Sequence, residues 1–207
     1  MHRAVFDRCM EIMSEKLHQD MCDLILPGKP VADVAPALIE KNVPQYLRYA
    51  CRYWVDHLDK LSGDQREEVG LNDDGKVYAF LAEKLLFWLE TMSLIQETPT
   101  MILILNRLQG LINSTRNHLL AALVYDAQRF LLRYRWIIER APLQIYCSAL
   151  IFSPMRSRVR SLFEGLIPSW ITKNSNPIEA VTFSPHNNAI LASTSCDGTL
   201  RIVTTQD

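Results

Sequence analysis

The chain has 207 residues, 48% of them hydrophobic, with 22 Lys plus Arg against 23 Asp plus Glu for a formal charge of -1 at pH 7. That is the composition of a folded globular protein, so it excludes disorder over most of the length and any whole-molecule field drawing the chain to nucleic acid or an anionic membrane. Seven glycines against 10 prolines is poor in the residue that phosphate loops and all-β folds use most, and a mainly α fold is expected.

In chain order, Phe6, Cys9, Met10, Met13, Leu17, Met21 and Leu24 recur at helical spacing and predict one amphipathic helix, broken near Asp20. Pro27-Gly28 ends it. A loop with Pro30 and Pro36 leads to Pro44, placed to open a second helix with Leu47, Cys51, Trp54, Val55, Leu58 and Leu61 on one face, stopped by Ser62-Gly63-Asp64. Asn72-Asp73-Asp74 offers caps for a third, whose stripe runs Val77, Phe80, Leu81, Leu85, Trp88, Leu89, Met92 and Ile95. Thr98-Pro99 closes it and starts the next. Residues 100–115 and 117–140 read as two further helices, the second carrying Leu120, Val124, Phe130, Leu131, Tyr134, Ile137 and Ile138. Pro142 restarts the chain, Ser153-Pro154 interrupts it, and 155–165 reads as a last short helix. Such stripes offset the entropy of ordering only by packing on one another, so a helical bundle or short superhelix is expected, with Trp54, Trp88 and Trp136 in its core.

After residue 171 the pattern changes. Residues 172–177, Thr-Lys-Asn-Ser-Asn-Pro, read as a polar linker. Three alternating segments then begin at Ile178, Ile190 and Thr199, separated by His186-Asn187-Asn188 and Cys196-Asp197-Gly198, and predict a small antiparallel β-meander over 178–207. Phe183-Ser184-Pro185, Leu191-Ala192-Ser193-Thr194-Ser195 and Asp197-Gly198-Thr199-Leu200-Arg201 resemble one unit of a WD-repeat propeller. Gly-His is missing before Ile178, and Val203-Thr204 stands where Trp-Asp would. The expectation is a single incomplete, degenerate WD-type blade, with Ser195 and Asp197 as its implied stabilising side chains.

Four blocks carry a wider resemblance: residues 9–13 (Cys-Met-Glu-Ile-Met) with Cys22-Asp23-Leu24; residues 47–58, from Leu47 through Trp54 to Leu58; residues 87–95, from Phe87-Trp88 to Ile95; and residues 142–154, from Pro142 to Pro154. In this order, and with the ending Pro168-Ser169-Trp170-Ile171, the chain resembles an internal stretch of fungal NACHT and WD-repeat proteins, the signal-transduction NTPases that include heterokaryon-incompatibility proteins. The resemblance implies a helical connector over 1–171, between a nucleotide-switching module and a propeller, and a chain that is a fragment or truncated relative of such a protein. No Gly-x-x-x-x-Gly-Lys-Ser/Thr loop occurs in the chain, so nucleotide hydrolysis is not carried by these residues.

No catalytic, cofactor or metal site is expected. Asp56-His57 pairs a carboxylate with an imidazole, but helical neighbours point about 100° apart and do not orient each other. His18 and Cys22 have i, i+4 spacing, yet two ligands do not close a metal site. The five cysteines, Cys9, Cys22, Cys51, Cys147 and Cys196, are scattered and odd in number, which reads as reduced, mostly buried thiols. Arg129, Arg133, Arg156, Arg158 and Arg160 form the expected interaction surface. The chain is thus read as a non-enzymatic, cytoplasmic protein-interaction module, free of cofactor and membrane, whose partner is another protein or another domain of its parent. The alternative is a helical nucleic-acid-binding adaptor that uses the basic cluster at 129–140, where Tyr134 and Trp136 would stack on bases.

Overall fold

A computed structural model describes residues 1–167 and, beyond them, only the backbone of three strand segments. Within 1–167 the apolar stripes fold as α1 (His2–Lys16), α2 (Pro36–Asn42), α3 (Gln45–Asp59), α4 (Gly63–Glu68), α5 (Lys76–Leu94), α6 (Thr98–Leu111), α7 (His118–Arg140), α8 (Ser148–Ile151) and α9 (Arg158–Phe163). Short 3-10 turns lie at Val31–Asp33, Pro142–Ile145 and Glu164–Leu166.

The helix α5 is the axis of the fold, touching α1, α3, α6, α7, α9 and the Pro142–Ile145 turn. From Leu85 to Leu94 these neighbours enclose the helix, which there has no polar face to spare, while Lys76, Ala79 and Glu83 nearer its start are exposed. Accordingly Leu85, Leu86, Trp88, Leu89, Met92 and Leu94 are all buried, whichever way they point. Its polar groups inside the core are satisfied: Thr91 donates to the Phe87 carbonyl at 2.8 Å and Ser93 to the Ile138 carbonyl of α7 at 2.5 Å. Trp54 and Trp88 are fully buried and meet edge to face at 6.3 Å, a favoured aromatic geometry. The Trp88 indole donates to the Cys51 carbonyl at 3.0 Å, joining α5 to α3.

Three boundaries depart from the periodic reading. First, α1 stops at Lys16 and Leu17 is already extended. Leu17, Met21, Cys22 and Leu24 still reach the core, but from an irregular turn in which Asp20, Asp23 and Ile25 have φ of 57°, 49° and 65°. Second, α3 ends at Asp59, just before Ser62-Gly63-Asp64, and Ser62 itself opens α4 through a capping box with Gln65. Third, α5 begins after Gly75 without a side-chain cap. A Cβ at Gly75 would collide with the Gly70 carbonyl, so only glycine allows the chain to pass there. Asp73, expected to cap α5, caps α7 instead, accepting from the backbone N–H groups of Leu120 at 2.8 Å and Leu119 at 3.1 Å.

The expected fold class needs correction in its second half. Every described core side chain belongs to a helix or to a turn between helices, so the fold is mainly α. Past residue 177 the described backbone comprises β1 (Ile178–Phe183), β2 (Ile190–Ser195) and β3 (Leu200–Thr204), paired antiparallel in that order. Propeller blades are four-stranded sheets packed in a ring. The described core is helical throughout, so the expected small β-meander is not supported as part of the fold class, and neither is a WD-type blade. Of the two residues expected to stabilise such a blade, Asp197 lies outside the described residues, and Ser195 is described in its backbone alone. The linker at 172–177 also lies outside them.

Ile25 combines a β-branched side chain, left-handed backbone and 80% exposure, a conformation that costs about 1–2 kcal/mol for most L-residues. Ile25→Gly should therefore raise the midpoint of urea unfolding. A lowered midpoint would show that Ile25 contributes packing that outweighs its strain.

Candidate interaction surface on the seventh helix

The helix α7 divides into two faces. Leu120, Leu123, Val124, Ala127, Phe130, Leu131 and Ile138 are buried and fix its rotation. Leu131 and Trp136 are five residues apart, which is about 140° around the helix. Trp136 is consequently turned out and is 64% exposed, which corrects the expectation that all three helical tryptophans lie in the core. Tyr125, Arg129, Leu132, Trp136 and Arg140 follow one another at three- and four-residue steps and share this outer side, with Arg133 beside Leu132 and four residues after Arg129. Tyr125 and Leu132 are also more than half exposed.

The arginines of this face are held against rings. The Arg140 guanidinium sits 4.5 Å from the Trp136 ring centre, Arg129 lies 5.8 Å from that of Tyr125, and Arg133 lies 5.7 Å from that of Tyr134. Arg135 pairs with Glu139 at 3.5 Å, whereas Arg129, Arg133 and Arg140 make no ion pair with a described acid. Two grooves flank the face. One, of about 410 Å³, has mainly apolar walls and is bounded by Val31 and Ala32 of the 3-10 turn and by Trp136, Ile137 and Ala141. The other, of about 540 Å³, lies between α7 and the 153–157 turn and is lined by Arg129, Arg133, Tyr134, Pro154 and Arg156.

Of the five arginines singled out from the sequence, the fold therefore brings Arg129, Arg133 and Arg156 to one groove. Arg158 is exposed at the start of α9. Arg160 is spent on structure, donating to the Ile151 carbonyl at 2.6 Å and the Ser153 carbonyl at 2.7 Å, so it is corrected from surface ligand to clamp of the turn after α8. Asp126, which lines the same groove, is occupied as well: its carboxylate accepts from the Ser157 hydroxyl at 2.7 Å and the Val159 N–H at 3.0 Å.

A second exposed face, on α3 and α6, offers Tyr46, Tyr49, Tyr53 and Leu103. Its charges are matched: Arg52 pairs with Glu97 at 2.6 Å, and Arg107 pairs with Asp56. His57 is not joined to Asp56. Its Nε2 lies 2.8 Å from the Tyr49 hydroxyl and its Nδ1 lies 3.1 Å from Nδ1 of His2. Desolvation, aided by the charge of His2, holds the His57 imidazole below its ordinary pKa. His18 lies past the end of α1 and its Nδ1 contacts the Gln19 carbonyl oxygen at 2.9 Å, so the i, i+4 geometry with Cys22 does not arise. Among the described residues no group of three or more His, Cys, Asp and Glu could hold a metal. Cys9, Cys22, Cys51 and Cys147 are free and buried, and burial pushes the first two thiols up to about 11 and Cys147 to about 12. Cys196 lies outside the described residues.

Glu90, with Tyr146, is the buried titratable site that the sequence reading missed. The only signal was an acid inside the apolar run of α5. Glu90 is completely buried and accepts from the Met21 N–H at 2.7 Å, the Asp20 N–H at 3.0 Å and the Tyr146 hydroxyl at 2.5 Å. Desolvation raises its pKa to about 7, against the pull of those three hydrogen bonds. It ties the irregular turn after α1 and the segment after α7 to the central helix.

The chain is similar to a vegetative incompatibility protein. HET-E-1 of Podospora anserina is 39% identical over 170 residues, which are 81% of this chain and 12% of that protein. The chain thus spans only a small part of its relative's length. No family model and no solved structure matches the chain. Among the described residues no helix is long and apolar enough to cross a membrane.

Two outcomes test this geometry. Trp88→Ala should lose about 3–5 kcal/mol of stability through cavity formation, whereas Trp136→Ala should stay within about 0.5 kcal/mol of the parent in urea unfolding. Equal losses would return Trp136 to the core. For Glu90 the folded pKa lies above the ordinary 4.5, so the folded state holds the extra proton and stability falls as pH rises between these values. The stability of the parent relative to Glu90→Gln should drop between about pH 4.5 and pH 7 by on the order of 3 kcal/mol, then level off. A difference that does not change with pH would show that Glu90 does not titrate there.

Proposed function

We propose that this chain is a non-enzymatic protein-interaction module acting as a connector within a fungal signalling protein of the vegetative-incompatibility kind. The observation that carries the reading is the outer face of α7. Tryptophan, tyrosine and arginine, the residues that most often dominate binding energy at protein interfaces, are there exposed together: Tyr125, Arg129, Arg133, Trp136 and Arg140. The similarity to HET-E-1 over most of this chain but a small part of that protein supports a module that works through contact with neighbouring domains or a separate partner. In this reading residues 1–171 are the connecting unit, the work is done in the cytoplasm, and no bound cofactor is needed.

The environment of His57 also supports a non-catalytic role, because its ring nitrogens face Tyr49 and His2 rather than an acid or a nucleophile. The surrounding face favours protein over nucleic acid. The arginines already cover the rings of Tyr125, Tyr134 and Trp136, which removes faces on which bases would stack.

The test is a chimera in which the matching stretch of HET-E-1 is replaced by this sequence. The chimera should sustain the incompatibility response, and the double variant Arg133→Glu, Trp136→Ala should abolish it while leaving the circular dichroism of the isolated chain unchanged. A full response from the double variant would remove the α7 face as the working surface.

A further inference from the structure

We propose that the groove between α7 and the 153–157 turn binds an acidic peptide segment of the partner, with carboxylates among Arg129, Arg133 and Arg156 and an apolar side chain against Leu132 and Pro154. The inference rests on the α7 face being an interaction surface and names the chemistry of what it receives. Its first support is uncompensated charge. Three arginines from two separate elements line a space of about 540 Å³, and none of them pairs with a described acid. Asp126, which also lines the groove, accepts from the Ser157 hydroxyl and the Val159 N–H through one oxygen, so one carboxylate stands against three guanidinium groups. A positive groove in a chain of net charge -1 is a local feature that favours an anionic partner by complementarity.

The second support is preorganisation. Arg129 and Arg133 rest on the rings of Tyr125 and Tyr134, so less side-chain freedom is lost when a carboxylate arrives. Finally, Leu132 is 60% exposed and Pro154 is exposed beside the charges. A groove with both characters fits a peptide that mixes acidic and apolar residues, and Arg clusters are a recurrent means of reading acidic motifs.

The experiment is fluorescence anisotropy with the full chain and four labelled probes: a Glu- and Leu-rich peptide, its Lys- and Leu-rich counterpart, a phosphoserine- and Leu-rich peptide of the same length, and a single-stranded oligonucleotide. The Glu/Leu peptide should bind, with affinity falling as salt rises. Arg156→Ala lies on an exposed turn away from the α7 packing, and it should weaken binding roughly tenfold, as should Arg129→Ala. Arg158→Ala, next to the groove, should leave binding unchanged. Equal binding of the Lys/Leu peptide, binding of the phosphoserine peptide or the oligonucleotide in preference to the Glu/Leu peptide, or unchanged affinity in both arginine variants would each overturn the proposal. Because this readout is direct binding, its failure beside a working chimera would reject the acidic ligand while leaving the connector role standing.

Discussion

A helical stretch with no exposed side cannot carry an acid unless the rest of the fold is arranged around it. The position of Glu90 in α5 imposes that constraint here. Its carboxyl group is completely buried, and leaving it without partners would cost far more than any single core contact returns. The chain meets the demand with two backbone N–H groups from the turn after α1 and one hydroxyl from Tyr146 after α7. These donors come from points some 70 and 56 residues away in sequence. Satisfying one buried acid therefore fixes the entry and exit of the bundle against its central helix. It also accounts for the early end of α1, since the N–H groups of Asp20 and Met21 reach Glu90 only when that stretch leaves the helix.

The same central packing decides what is left outside. Over the enclosed half of α5, α7 lies as a covering helix, held by the Ser93 hydroxyl on the Ile138 carbonyl and by the distant cap from Asp73. Desolvation works against the Asp73 carboxylate, but the N–H groups of Leu120 and Leu119 hold it below its usual pKa. Once α7 is locked in rotation, Trp136 and its neighbouring arginines have no core to enter. Their exposure follows from the anchoring of the opposite face.

This arrangement also separates two kinds of charge. Arg160, Arg66 and Arg52 close helix ends or bridge elements: Arg66 donates to the Asp59 carbonyl at 2.6 Å, and Arg52 binds Glu97. Arg129, Arg133 and Arg156 have no such duty. The proposed connector role needs a rigid body and a surface whose binding groups are not already spent. The buried network supplies the first, and the outer side of α7 with its groove supplies the second.

The amino-acid sequence by itself determined the helical class, the approximate span of most helices, the burial of Trp54, Trp88 and four cysteines, and the candidacy of Arg129, Arg133 and Arg156. Each of these follows from spacing along one element, which is local information. Only the tertiary structure decided that Trp136 faces water, that Arg160 is a clamp and that Asp73 caps α7 instead of α5. It likewise decided that α1 ends at Lys16. The physical reason is common to all of them: rotation of a helix, capping across the fold and satisfaction of a buried acid depend on partners far away in sequence, and no periodicity within a segment encodes where those partners stand.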